Sequence, residues 1–90
     1  MMSVKFSPNA LKQLFYLAER EKRLFKSFKK IIEDTQRNGT AGLGHPEPLK
    51  GNLSGWYSKH IDEGNRIVFR IIDKDGVVEV AECYTHYQDK

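Results

Sequence analysis

Ninety residues with a net charge of +3 and one cysteine, Cys83, describe a single domain, residues 1–90, with no disulfide framework and no thiolate cluster for a metal. A bilayer span needs about 20 consecutive apolar residues and none occurs; the opening MMSVKF also lacks a signal peptide's apolar stretch, so a cytoplasmic protein without membrane contact is expected. Charge is unevenly placed, with nine Lys/Arg against four Asp/Glu in residues 1–45 and six against eight in residues 46–90. Basic surface gathered in one half marks either a polyanion partner or a solvated helix face.

Ser3–Phe6 alternates and suits a strand. Ser7-Pro8 then supplies a helix cap followed by proline at the first helical position. Leu11, Leu14, Phe15 and Ala18 recur at helical spacing to about Arg20. A second helix presents Leu24, Phe25, Phe28, Ile31, Ile32 and Thr35 on one face and Lys22, Arg23, Lys26, Lys29 and Lys30 on the others. It ends near Arg37-Asn38-Gly39, where glycine is an expected terminator. Gln36 to Pro48 reads as a long loop, a feature often tied to function. Three strands follow, at Gly55–Ile61, Arg66–Asp73 and Val77–His86, separated by Asp62-Glu63-Gly64-Asn65 and Lys74-Asp75-Gly76, both rich in turn residues. The expected fold class is α+β: a small antiparallel sheet in β-α-α-β-β-β order with the helical hairpin on one face. Alternation turns Ile67, Phe69 and Ile71 towards the helices and leaves Arg66, Val68 and Arg70 on an open, partly basic face.

Metal and thiol chemistry find little support. His45-x-Glu47 matches only the start of a zinc deaminase signature, and the Pro-Cys-x-x-Cys that should follow is absent. His-Glu-x-x-His, a phosphate-binding glycine loop and a dinucleotide fingerprint are absent too. Cys83, in an apolar strand, reads as core. No metal and no cofactor are expected.

The remaining set suits metal-free cleavage of RNA through its own 2′-hydroxyl. That chemistry needs a base for the 2′ proton, a cation for the crowded phosphorane and an acid for the leaving 5′-oxygen. Glu47 suits the base: it lies between Pro46 and Pro48, and Pro48 biases it towards an extended backbone. Arg66 suits the phosphate clamp, its planar fork matching two phosphate oxygens. His86 suits the acid, Lys50 and Lys59 are further cations, and Tyr87 can stack on a base or position a proton. Each also has an ordinary reading, as a solvated loop carboxylate, an exposed strand-opening arginine or side chains near the C-terminus.

The runs PEPLKGNLSGWYSKHI, GNRIVFRI and CYTHY, with IIEDTQRNG before the loop, resemble the YoeB (Txe) toxins of the RelE superfamily along nearly the whole chain. The resemblance implies the RelE-like microbial RNase fold and the toxin of a type II toxin–antitoxin pair. It implies a metal-independent mRNA interferase that enters the ribosomal A site, cuts mRNA there and halts translation. The family's roles fall on Glu47 as general base, Arg66 at the phosphate, and His86 and Tyr87 as the terminal pair, with Lys50 as the lysine of the Pro-Leu-Lys run. It also gives the basic helices a role as contacts to ribosomal RNA. Implied partners are a partly disordered YefM/Phd-like antitoxin, the 70S ribosome and mRNA, operator DNA through the antitoxin complex alone, and a second copy of the chain.

This chain departs from the pattern in three places. Lys59-His60 stands where relatives often carry two arginines, Asn65 stands where many have histidine, and Gln88-Asp89-Lys90 extends past the His-Tyr pair. The alternative expectation is a non-catalytic toxin or an RNA- or ribosome-binding protein of the same fold. ParE-type relatives share the scaffold and poison DNA gyrase without this acid–base set.

Overall fold

A computed structural model describes residues 1–72, 74 and 76–84. Its elements are β1 (Ser3–Phe6), α1 (Pro8–Arg20), α2 (Lys22–Asn38), β2 (Glu47–Pro48), β3 (Tyr57–His60), β4 (Arg66–Ile72) and β5 (Val77–Glu82), with a 3-10 turn at Gly51–Leu53. The sheet order is β1-β5-β4-β3-β2. β1 joins β5 in parallel while the other pairs are antiparallel. The α+β class stands, but the sheet is mixed rather than wholly antiparallel. The helical hairpin carries the chain across the sheet, so β1 and β5 meet running the same way.

Ser7 stitches the first strand to the first helix. Its Oγ accepts from Ala10 N–H at 3.0 Å and donates to the Ala81 carbonyl at 2.9 Å, so the start of α1 is tied to β5. Glu21 alone separates the helices; its N–H closes α1 on the Leu17 carbonyl and its carbonyl accepts from Phe25 N–H. α2 stops at Gly39, which takes a positive φ of 61°.

The core lies between the hairpin and one sheet face. Leu17, Phe28, Ile31 and Ile32 meet Ile67, Phe69, Val78 and Val80 there, each such side chain contributing about 1.5–3 kcal/mol on burial. The inward placing of Ile67 and Phe69, with Ile71 packed against the core, matches the alternation. The face of α1 does not. Ala10, Gln13 and Leu17 are buried, while Leu11 and Phe15 are exposed at 41% and 57%. Gln13 explains the rotation: its Oε1 accepts from the N–H groups of Cys83 and Tyr84, at 2.7 and 3.2 Å, just beyond β5. A polar side chain in the apolar stripe satisfies two buried backbone donors.

The expected long loop is shorter at both ends. α2 runs on to Asn38, and Glu47-Pro48 pairs with β3. Asp34 holds the intervening segment, accepting from Leu43 N–H at 2.9 Å and from the Asn38 amide at 2.7 Å. Gly42 and Gly44 take φ of 88° and 87°, and a Cβ there would lie 2.2 Å from Asp34 Oδ2 and 3.0 Å from Lys59 Cβ respectively. Neither place has room for a side chain.

Candidate active site

Strand register places the chemistry. Glu47 faces Ser58 across β2–β3, and Ser58 faces Val68 across β3–β4, so the three share a sheet face. Two residues along, His60 faces Arg66 on that same face. The helices cover the opposite side. From strand spacing and rise, the Cα atoms of Glu47 and Arg66 lie about 12 Å apart, a span from which both side chains can address one phosphodiester. The face is less open than the sequence suggests: Ser58 and Val68 are buried, and Glu47, His60, Arg66 and Arg70 surround them exposed.

Glu47 is exposed, on extended backbone pinned by β3. The turn before Arg66 is equally well held. Asp62 Oδ1 accepts from Gly64 and Asn65 N–H at 2.9 and 2.7 Å and from the Asn65 amide, while Ile61 N–H donates to the Asn65 carbonyl. Asn65, the departure from the histidine of many relatives, is therefore a turn-building residue. Its Oδ1 is buried and finds no partner among the described residues. Lys50 is exposed at the start of the 3-10 turn. His86 and Tyr87 lie outside the described residues.

Two of the expected RNA-binding cations are engaged within the protein. Lys59 is fully buried, with Nζ 2.9 Å from Thr35 Oγ1, 3.0 Å from the Gly39 carbonyl and 3.7 Å from Asp34 Oδ2. It is an inward residue of β3 that binds the end of α2, not a surface phosphate ligand; the alternation that turns the half-buried Tyr57 and the buried Ile61 towards the core buries it too. Burial pulls the Lys59 ammonium below its ordinary pKa, with Asp34 opposing. Asp34 is held below the usual carboxylate range, chiefly by the Leu43 N–H; desolvation opposes this, and the Asn38 amide and the Lys59 and Arg37 charges add to it. Arg70 does reach the exposed face, but its Nε hydrogen-bonds Glu79 and its guanidinium lies 4.6 Å from the centre of the Trp56 ring.

The helix cations Lys22, Arg23, Lys26, Lys29 and Lys30 are all exposed. Lys22, Arg23, Lys26 and Lys29 gather on the hairpin side of the sheet, away from Glu47 and Arg66, whereas Lys30 lines a cleft with His45 and His60. Cys83 is buried as expected, and burial pushes its thiol up to about 12, the Glu82 charge adding to the effect. Sequence reasoning passed over Asp34 and weighed His45 only as part of an incomplete zinc signature. Asp34 falls three residues after Ile31, on the inward stripe, and that spacing was its available signal.

Comparison with known proteins places this mixed sheet and helical hairpin among bacterial toxins of type II toxin-antitoxin systems. A structure described as the YoeB/ParE toxin from Agrobacterium tumefaciens superposes with a TM-score of 0.89 at 29% identity, covering 96% of this chain and all of that one. The toxin in a heterotetrameric YoeB-YefM toxin-antitoxin complex from Staphylococcus aureus superposes with a TM-score of 0.87 at 33% identity, over 97% of this chain and 99% of its own. Toxin YoeB of Escherichia coli O6:H1 is 40% identical over 86 residues, 96% of this chain and the whole of that protein. The sequence pattern of the family described as YoeB-like toxin of bacterial type II toxin-antitoxin system matches residues 6–87. The chain belongs to the YoeB toxin family.

Proposed function

We propose that this toxin is a ribosome-dependent mRNA interferase that cuts mRNA in the A site without a metal ion. The observation that carries the reading is the strand register that brings Glu47 and Arg66 to one exposed face. Glu47 takes the proton of a ribose 2′-hydroxyl, and the 2′-oxygen attacks the adjacent phosphorus. Arg66 neutralises the charge growing on the phosphoryl oxygens, and His86 protonates the departing 5′-oxygen. The products are a 2′,3′-cyclic phosphate and a free 5′-hydroxyl. Tyr87 positions the reacting nucleotide, and Lys50 adds positive charge beside the path.

The placing of charge suits a target that surrounds the protein. Lys22, Arg23, Lys26 and Lys29 on the hairpin and the candidate catalytic face lie on opposite sides of the sheet, so ribosomal RNA can hold one while mRNA meets the other. Such binding weakens as salt rises. A YefM/Phd-like antitoxin segment is the neutralising partner, folding as it binds; related toxins from Staphylococcus aureus are described as a YoeB-YefM complex and as a YoeB dimer. Self-association of this chain and operator contact through the antitoxin are read the same way.

Purified toxin added to ribosomes halted on a defined mRNA tests the proposal. Primer extension should find discrete cuts within the A-site codon and none in the same mRNA free of ribosomes. Inhibited translation with intact mRNA would replace the enzyme with a binding toxin.

A further inference from the structure

Beside the candidate active site lies a cleft of about 620 Å³ that the cleavage chemistry does not use. Ile31, Leu43 and Ile61 give it apolar walls, and Lys30, His45 and His60 line it from three separate segments. The two imidazole rings stand 6.3 Å apart at 70°. Their placing is built in: His60 N–H donates to the Gly44 carbonyl at 2.7 Å, and His45 takes a positive φ of 52°. His60 and Glu63 also line a smaller hollow of about 210 Å³ shared with Arg66. The cleft therefore continues from the phosphate clamp, and His45 stands two residues from Glu47.

We propose that this cleft is a nucleobase subsite, taking a base of the RNA strand next to the nucleotide whose phosphate Arg66 holds. The inference rests on the mRNA-cleaving function and adds the part of the substrate that this function leaves unassigned. A volume of this order accommodates a small ligand such as a nucleoside, and imidazoles and aliphatic side chains are surfaces on which bases stack. Asp62 and Glu63 on the lining repel a phosphate, so the base enters and the backbone stays near Lys30 at the opening. Asp62 is engaged in its turn. Glu63 is the carboxylate left to accept from an exocyclic amine, as carboxylates do from cytosine. The subsite accordingly favours cytosine over uracil.

The test is a pair of NMR titrations of the isotope-labelled toxin, with cytidine 3′-monophosphate and with uridine 3′-monophosphate. The methyl groups of Leu43 and Ile61 and the rings of His45 and His60 report on the cleft. Cytidine should shift them and bind at least about tenfold more tightly than uridine, the effect of one hydrogen bond to a charged group. Leu43→Glu, an exposed side chain whose backbone anchor is unaffected, should abolish the shifts. Glu63→Gln should keep them and remove the preference. Absent shifts, shifts that survive in Leu43→Glu, or equal affinities for the two nucleotides in the wild type would overturn the proposal. Because the readout needs no cleavage, cuts on ribosomes without cleft shifts remove the subsite alone. Cleft shifts without cuts remove the nuclease reading and leave a nucleotide-binding cleft.

Discussion

Replacing Lys59 by methionine removes the buried ammonium but keeps most of the stem that packs in the core. The structure sets the cost. Asp34 retains Leu43 N–H and the Asn38 amide, so it is not left bare. Thr35 Oγ1 and the Gly39 carbonyl each lose the donor at about 3 Å. A buried polar group deprived of its partner costs about 1–3 kcal/mol; Thr35 Oγ1 still donates to the Ile31 carbonyl at 2.8 Å, so the two losses total roughly 2–4 kcal/mol. Relief from burying the ammonium offsets part of this. The net expectation is a loss of about 1–3 kcal/mol, which in a domain of this size lowers Tm by about 4 °C or more. Urea denaturation of both proteins, fitted for midpoint and slope, measures it. Equal stability within about 0.5 kcal/mol, the ordinary scatter of neutral surface changes, would refute the assignment of Lys59 as the tie between β3 and the end of α2.

Three further outcomes follow from the same contacts. Asp34 is held below its ordinary pKa, so its stabilising contribution is present above about pH 4 and disappears as pH falls through the folded value. Urea melts should lose stability on that acid limb, and Asp34→Asn should flatten it; an unchanged limb would remove Asp34 as its source. Gln13→Ala leaves the N–H groups of Cys83 and Tyr84 without their acceptor and should cost about 2 kcal/mol or more, read by urea denaturation; a loss under about 0.5 kcal/mol would mean water or a neighbour replaces the amide. Cys83, its thiol buried and pushed up to about 12, should react with a thiol reagent at neutral pH only on unfolding, so rapid labelling of the native protein would contradict its place in the core.

Much of the fold was legible because local signals agreed. Ser7-Pro8 announces α1, Gly39 ends α2, and alternation along β4 sorts Ile67 and Phe69 inward. The parallel seam between β1 and β5 was not legible, because Ser3–Phe6 carries no mark of the strand it pairs with 74 residues later. The face of α1 was misread because apolar periodicity gives no weight to Gln13, whose inward place depends on backbone donors near Cys83. The site followed the same rule. Glu47 and Arg66 were visible as residue types on extended backbone and after a turn, and register then placed them on one face. Lys59 looks like a surface cation by its charge, and only its inward place on β3, opposite Ile67, sends it into the core. The cleft between His45 and His60 exists only once the Asp34 network has folded the intervening segment back onto β3.

In the proposed cleavage, Glu47 carries the first proton transfer. Mapped cleavage of mRNA on programmed ribosomes, with EDTA present at a concentration that leaves the ribosomes assembled, should compare wild type with Glu47→Gln. Loss of a positioned base lowers the rate by about 10²–10⁴-fold, while circular dichroism and urea midpoint should stay near wild type because Glu47 is exposed. A-site cuts by the wild type and a rate lower by at least about 100-fold in the folded variant are the predicted result. Cutting by Glu47→Gln at the wild-type rate would contradict its role as the base.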